Sequence, residues 1–214
     1  DYDKGGLPAG WQIHSKDGSP MIEPPHLPLC KDRVRHVGDQ VALVVAETYA
    51  QAKDAAEQID VTYKELPAII ATADADKAGK PQVWADAKNN TCFDWHLGDK
   101  AATDAAFAKA HHVTKIDLIN QRLVPNAMEP RAAVGAFENG RFTLHTCSQG
   151  VVGMKANIAA LLNVEPKQVR VISGNVGGSF GMKAGPYPEY VCVLHAARAL
   201  GRPVKWTDER SGSF

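Results

Sequence analysis

The chain has 214 residues, 44% of them hydrophobic and 22% charged, enough to bury a core in one or two domains. Lysine plus arginine equals aspartate plus glutamate at 24 each, and no basic block interrupts that balance, so nucleic acid is not an expected partner. Apolar runs such as Val41 to Ala46 are far too short to span a bilayer, and the acidic start Asp1-Tyr2-Asp3 is not followed by an apolar signal region.

The first thirty residues hold Pro8, Pro20, Pro24, Pro25 and Pro28, which predicts an irregular segment draped over a neighbouring surface. Val41 to Ala46 reads as a strand buried on both faces. Thr48 is positioned to cap a helix carrying Ala52, Ala55 and Ala56, and Ile59, Val61 and Tyr63 alternate as a second strand closed by Pro67. Together these predict a β–α–β unit ending near residue 71. Residues 72–98 lack periodicity and read as a connecting segment, which divides the chain into residues 1–98 and 99–214.

Ala101 to Ala110 predicts a short helix with a small-residue face. His112–Val124, Ala132–Phe137 and Arg141–Cys147 then predict three strands of a β meander, the last two joined by an Asn139-Gly140 hairpin. A helix over Val151–Leu162 follows, with Ser148 as its cap and Val152, Ala156, Ala159 and Leu162 on its inner face. Gln168–Ser173 alternates as a strand. Glu189–Leu200 predicts a helix with Val191, Leu194, Ala197 and Leu200 facing the core, stopped by Gly201 and Pro203, before a last strand over Pro203–Thr207. No further capping element is expected after it.

The four cysteines, Cys30, Cys92, Cys147 and Cys192, form no C-x-x-C pair and no zinc spacing, and read as free thiols of a reduced, cytoplasmic protein. The adjacent His111 and His112 diverge from a helix end and suit a solvated turn better than a metal. His195 reads as a packing residue, the four tryptophans as packing anchors, and Glu129 with Arg131 as a structural ion pair or hydrogen-bond network. No metal ligand is assigned.

The densest concentration of chemistry is Val176-Gly177-Gly178-Ser179-Phe180-Gly181-Met182-Lys183. Three glycines around one aromatic leave backbone amides accessible to a cofactor, although a turn needing left-handed backbone angles explains the same pattern. Neither a dinucleotide fingerprint nor a phosphate loop fits: Val176 stands where the first glycine of G-x-G-x-x-G is needed, and Ala184 where a phosphate loop has its hydroxyl. Gln149 lies where a strand meets a helix, as a ligand-facing amide or as a polar residue bonding its own backbone.

In order and separation, Ser148-Gln149-Gly150, Gly177-Gly178-Ser179-Phe180-Gly181 with Lys183, and Gly201-Arg202-Pro203-Val204-Lys205 resemble the large, molybdenum-binding subunit of the xanthine dehydrogenase, aldehyde oxidase and carbon monoxide dehydrogenase family. Val34-Arg35-His36-Val37-Gly38-Asp39-Gln40 and the β–α–β unit resemble its hammerhead domain, and Met128-Glu129-Pro130-Arg131 the start of its molybdenum-binding domain. The resemblance implies an α+β chain: an α/β hammerhead domain, then the first part of a mixed α+β molybdopterin-binding domain.

It implies molybdopterin, as the cytosine dinucleotide, with molybdenum, and iron–sulfur and FAD centres on other subunits or domains. The implied contacts are the Gln149 side chain beside the metal's oxo group, and Gly178, Ser179, Phe180 and Gly181 against the cofactor. The implied reaction hydroxylates an aldehyde, an N-heterocycle or a similar small substrate with water-derived oxygen. The catalytic base is expected downstream of residue 214, so no catalytic residue is assigned and the chain alone is expected to be inactive.

Two departures carry expectations of their own. Ser179 replaces the family's middle glycine and adds a hydroxyl toward the cofactor position, and Ala184 replaces a carboxylate of purine-oxidising members, which disfavours a purine. The alternatives are a carbon monoxide dehydrogenase-type large subunit, or a binding or assembly module that keeps the architecture without the chemistry.

Overall fold

The computed structural model describes residues 6–121 and 123–213. Its core is a four-stranded sheet of β1 (Ala132–Glu138), β2 (Arg141–Thr146), β3 (Val169–Ile172) and β4 (Val204–Thr207), in the order β3-β2-β1-β4. The hairpin between β1 and β2 turns at Asn139 and Gly140, with φ 49° and 75°. Both residues take the positive φ that a tight hairpin turn requires. β4 pairs antiparallel to β1, while β3 pairs parallel to β2.

The expected meander is therefore confined to one hairpin, and the parallel pair is linked by a helical crossover. Residues 112–121 and 123–124 join no ladder. Val113, Ile116, Leu118, Ile119 and Leu123 are exposed on both alternations, so the segment finds neither a partner strand nor a covering layer.

Two helices, α4 (Val151–Leu162) and α5 (Pro188–Leu200), cover one face of the sheet; α1 to α3 precede them in the chain. Register puts Ala133, Gly135 and Phe137 beside Thr146, Leu144 and Phe142 on that face, and Val169 and Val171 continue it. From α5, Val191, Leu194 and Ala197 are buried as the periodicity predicts, but Leu200 is half exposed beside the left-handed Gly201 cap. α4 buries the predicted Ala159 and Leu162 together with Met154, Ile158 and Leu161, while the predicted Val152 and Ala156 stay exposed. The buried stripe is thus shifted from the predicted one at its N-terminal end, toward the larger Met154 and Ile158 side chains. Val152 lies in the first turn, 81% exposed. Ser148 is two residues too early to be the N-cap, which is Gly150; its hydroxyl instead accepts from the Gly150 amide at 3.1 Å.

The N-terminal half is built differently. Leu7 joins the core, and its amide donates to the His26 carbonyl at 2.7 Å within the same irregular segment, most of whose residues 8–20 are exposed. α1 (Tyr49–Glu57) forms behind a capping box: the Gln51 amide donates to the Thr48 hydroxyl at 3.3 Å and the Thr48 amide to the Gln51 side chain at 3.1 Å. It buries no residue, so its stability rests on its caps. Thr48→Ala is expected to cost α1 about 1 kcal/mol, read as faster amide exchange in residues 51–57 without a change in the core.

The two strands expected on either side of α1 are not paired. A groove of about 1250 Å³, lined by residues 30–35, Val41, 61–69 and 79–83, runs along the second segment and reaches the first only at Val41. Val41, Leu43 and Val45 keep 37–39% exposure rather than being buried on both faces. A strand is defined by its partner, and among the described residues no backbone hydrogen bond joins 41–46 to 59–67.

The connecting segment contains α2 (Thr72–Ala75) and a 3-10 turn at Lys88–Asn90, and it returns to the start of the chain through Lys16 and Ile22, whose amides donate to Asp94 and Cys92. Asp99 caps α3 (Lys100–Ala108), whose alanine face covers nothing. A 3-10 turn at Arg210–Ser213, absent from the sequence reading, follows β4. No helix among the described residues is long and apolar enough to cross a membrane.

Candidate cofactor-binding site

Three segments converge where the sheet strands end. The Ser148 amide donates to the Ser173 hydroxyl at 3.1 Å, tying the end of β2 to the end of β3. One residue on, the Gln149 amide donates to the Lys183 carbonyl at 3.0 Å and fixes the start of α4 against the far end of the glycine loop. The third segment, Ala127–Arg131, leads into β1 and is clamped from behind by Arg210, which donates to the Ala127 and Met128 carbonyls at 2.6 and 3.1 Å.

Lys183 organises the loop, a role that sequence reading missed. Its side chain is fully buried, and Nζ donates to the Glu129 carbonyl at 2.9 Å and to Glu129 Oε2 at 2.7 Å. The same carboxylate oxygen accepts from the Gly177 amide at 2.9 Å, while the Glu129 amide donates to the Gly177 carbonyl at 3.2 Å. The Lys183 hydrogen bond, helped by the Gly177 amide, holds the Glu129 carboxyl below its usual range against the opposing effect of desolvation. A lysine two residues after Ser179-Phe180-Gly181 was visible in the sequence, but no periodicity pointed it at Glu129.

Glu129 and Arg131 do not pair with each other; each enters a network of its own. Arg131 pairs with Asp208 at 3.1 Å and Glu189 at 3.4 Å, and its guanidinium lies 3.9 Å from the Tyr187 ring centre. Glu129 takes Lys183 and the Gly177 amide instead, so each residue finds its partners on a different element.

Each glycine of the loop has its own reason. A Cβ on Gly177 would lie 2.6 Å from Glu129 Cβ, so close approach requires glycine there. Gly178 and Gly181 have φ of 97° and 93°, the left-handed range that glycine favours. Phe180, between them, also has positive φ, 52°, with its ring 77% exposed: a strained backbone presenting an aromatic to solvent.

The Ser179 hydroxyl does not face outward. It accepts from the Lys183 amide at 3.0 Å, and the Met182 amide donates to the Ser179 carbonyl at 2.9 Å, so the serine closes its own turn. Gly177→Ala is expected to cost about 1–3 kcal/mol by overpacking and to displace the loop. Amide exchange at Met182 and Lys183 should accelerate by roughly the same free energy.

What remains open fits an anionic, hydrogen-bond-accepting ligand. Among the described residues, the backbone amides of 178–181 donate to nothing, and the first turn of α4 has no side-chain cap. The Gln149 amide side chain is exposed there and bonds no described residue, its own backbone included, which removes the local-capping reading.

Other residues singled out in the sequence lie elsewhere. His195 is on the exposed side of α5, not in packing, and His111 and His112 are exposed, the latter 3.2 Å from the Thr114 hydroxyl. Trp206 packs on the core and Trp84 lies under the Arg35 guanidinium at 3.6 Å, but Trp11 and Trp95 are exposed and anchor nothing. All four cysteines are free; burial pushes the Cys192 thiol up to about 11.

A two-layer domain that ends its strands at a glycine loop, a free amide side chain and an uncapped helix start is a cofactor-binding domain by geometry. Residues 83–214 match the molybdopterin cofactor-binding domain, and residues 11–67 match the a/b hammerhead domain of aldehyde oxidase and xanthine dehydrogenase. The chain belongs to this molybdenum hydroxylase family of oxidoreductases, with a hammerhead domain preceding a molybdopterin-binding one.

It is 35% identical over 196 residues to a carbon monoxide dehydrogenase large chain of Hydrogenophaga pseudoflava, covering 85% of this chain and 24% of that one. It is 36% identical over 189 residues to the gamma subunit of the 6-hydroxypseudooxynicotine dehydrogenase complex of Paenarthrobacter nicotinovorans, covering 86% and 23%. The reconstituted CO dehydrogenase from Oligotropha carboxidovorans superposes with a TM-score of 0.80 at 30% identity, over 87% of this chain and 25% of that one. The chain thus spans about a quarter of the length of these relatives.

Proposed function

We propose that this chain contributes the Gln149 side chain and the backbone of Gly178, Ser179, Phe180 and Gly181 to the molybdopterin site of a larger molybdenum hydroxylase subunit. The hydrogen bond from the Gln149 amide to the Lys183 carbonyl carries the reading, because it holds the free side-chain amide beside the free backbone amides of the loop. The donor set fits the group: backbone N–H groups suit its anionic dinucleotide portion, and a neutral amide can donate to an oxo ligand without coordinating the metal. When bound, the cofactor supplies the oxidation that couples water-derived oxygen to substrate hydroxylation.

The protein's own part is positional. The Gln149 side chain orients the group, residues 178–181 hold it, and the buried Lys183, paired with the part-exposed Glu129 carboxylate, keeps the loop in the strained form that does so. Phe180, exposed on that loop, excludes water once the site is closed. We read the division of the chain at 98/99, where Asp99 begins α3 after the connecting segment.

The substrate class is an aldehyde, an N-heterocycle or a similar small molecule, with electrons passing to iron–sulfur and FAD partners. The exposed run Val113 to Leu123 supports packing against the remaining domains of the subunit. The carbon monoxide dehydrogenase relatives make a large subunit of that type the second reading.

The test is made on the natural polypeptide purified from its source, by intact mass and elemental analysis. About one molybdenum per polypeptide is expected, in a polypeptide well above 23.0 kDa. In that protein Gln149→Ala should lower dehydrogenase turnover by roughly 10²-fold, the size of losing one oriented donor, while molybdenum content is retained. A metal-free 23.0 kDa product would instead support the binding or assembly module.

A further inference from the structure

Away from the glycine loop, one cluster of metal-ligating side chains stands out. His26, His36 and Asp39 each offer a donor atom, and these atoms all lie within 4.8 Å of one another. Their spacing in sequence signals nothing; the fold assembles them. The Leu7 amide binds the His26 carbonyl at 2.7 Å and pins that residue to the covered N-terminal segment. Gly38, with φ 95°, turns the chain so that Asp39 returns onto His36, and the Asp39 amide donates to the His36 carbonyl at 3.3 Å.

The surrounding hydrogen bonds set the donors in the form a metal needs. Asp39 Oδ2 accepts from the Arg35 amide at 2.9 Å, leaving Oδ1 turned toward His36 Nε2 at 3.9 Å. His36 Nδ1 lies 3.0 Å from the Val37 carbonyl oxygen. A carbonyl can only accept, so Nδ1 carries the proton and Nε2 presents its lone pair to the cluster. Hydrogen bonds of this kind, to the far nitrogen of a histidine and the far oxygen of a carboxylate, fix ligands in metal sites.

The two imidazoles stand edge to face, with ring centres 6.0 Å apart. The Asp39 side chain is only 10% exposed and that of His36 58%, so the carboxylate is set into the protein and the imidazoles open outward.

We propose that His26, His36 and Asp39 form a surface site for a divalent cation of the zinc class, bound by one ring nitrogen of each histidine and by Asp39 Oδ1, with water in the fourth position. Two imidazoles and a carboxylate are a zinc-type donor set. Tetrahedral bonds of about 2.0–2.1 Å place ligand atoms roughly 3.3 Å apart, so donor atoms up to 4.8 Å apart have to close by up to about 1.5 Å. Rotation of the two exposed imidazoles supplies that without moving the backbone. The site is independent of the molybdopterin reading.

The test titrates Zn²⁺ into the 214-residue chain by calorimetry and compares His26→Ala, His36→Ala and a His111→Ala/His112→Ala control. The expected result is one saturable Zn²⁺ per chain, at least tenfold weaker binding in each of the first two variants, and none of that loss in the control. His26 and His36 are exposed, so both variants should keep the wild-type circular dichroism spectrum. X-ray absorption of the zinc-loaded wild type gives a reading that needs no variant: two imidazoles with oxygen completing the shell. Absence of saturable binding, wild-type affinity in the His26 or His36 variant, or sulfur in the zinc shell from a thiol such as the nearby Cys30 would each overturn the assignment.

Discussion

Lys183→Ala is expected to lower unfolding stability by about 2–4 kcal/mol, from emptying a fully buried side-chain volume and removing the donor to the Glu129 carbonyl, the partner carboxylate itself being 38% exposed. The residue is fully buried, and its ammonium supplies hydrogen bonds to both the carbonyl and the carboxylate of Glu129. Removing it leaves the carbonyl without its donor and the Glu129–Gly177 clasp unsupported, so both the core edge and the loop loosen. Denaturant unfolding should show a lower midpoint with an unchanged slope. An effect below about 1 kcal/mol would mean that water replaces the ammonium and that the loop does not depend on it.

The same pair sets a pH dependence. The folded-state pKa of Glu129 is lowered, chiefly by the Lys183 hydrogen bond, so its stabilising contribution is fully present above its unfolded value of 4.5 and is lost as pH falls through the lower folded value. The volume-matched Lys183→Met variant lacks that contribution at every pH. The stability gap between wild type and this variant should therefore be constant from neutral pH to about 5 and shrink below 4.5. A gap that stays constant to pH 3 would show that packing, rather than the charge pair, holds the loop.

Gly135→Val is expected to cost about 3 kcal/mol, the upper end for overpacking, and to disturb the whole two-layer core rather than one loop. Gly135 sits in β1 where α5 crosses it, and even a Cβ there would lie 2.9 Å from the Val193 carbonyl carbon and oxygen and 3.0 Å from the Leu194 amide nitrogen. These are backbone atoms of a helix, so no rotamer change relieves the contact; α5 has to lift from the sheet. Gly135→Ala should give a smaller loss, about 1–3 kcal/mol. Equal stability of wild type and the valine variant would show that α5 has freedom to retreat.

Glycine at Gly135 was not readable as a packing requirement in the sequence, where it is one small residue in an alternating strand. Gly177 is similar: its run of glycines marked a special loop, but only the position of Glu129 shows that close approach, not backbone angle, demands it.

The sequence by itself determined what depends on neighbours along the chain. The bounds of α4, the Thr48 cap, the Asn139-Gly140 turn, the Gly201 stop and the hairpin of β1 with β2 all follow from side-chain periodicity and backbone preference within a few residues. The motifs that carry the family resemblance are equally local, which is why Gln149 and the Gly178–Gly181 loop could be named before the fold was known.

Tertiary structure alone decided the parallel pairing of β3 with β2, the face that α4 buries, the lack of pairing on both sides of α1, and the meeting of Lys183 with Glu129 across 54 residues. Hydrophobic period gives a segment a face but not a partner, and a charged side chain encodes no address. Both are settled by where distant segments come to rest, a choice made by burial and hydrogen-bond satisfaction summed over the whole core.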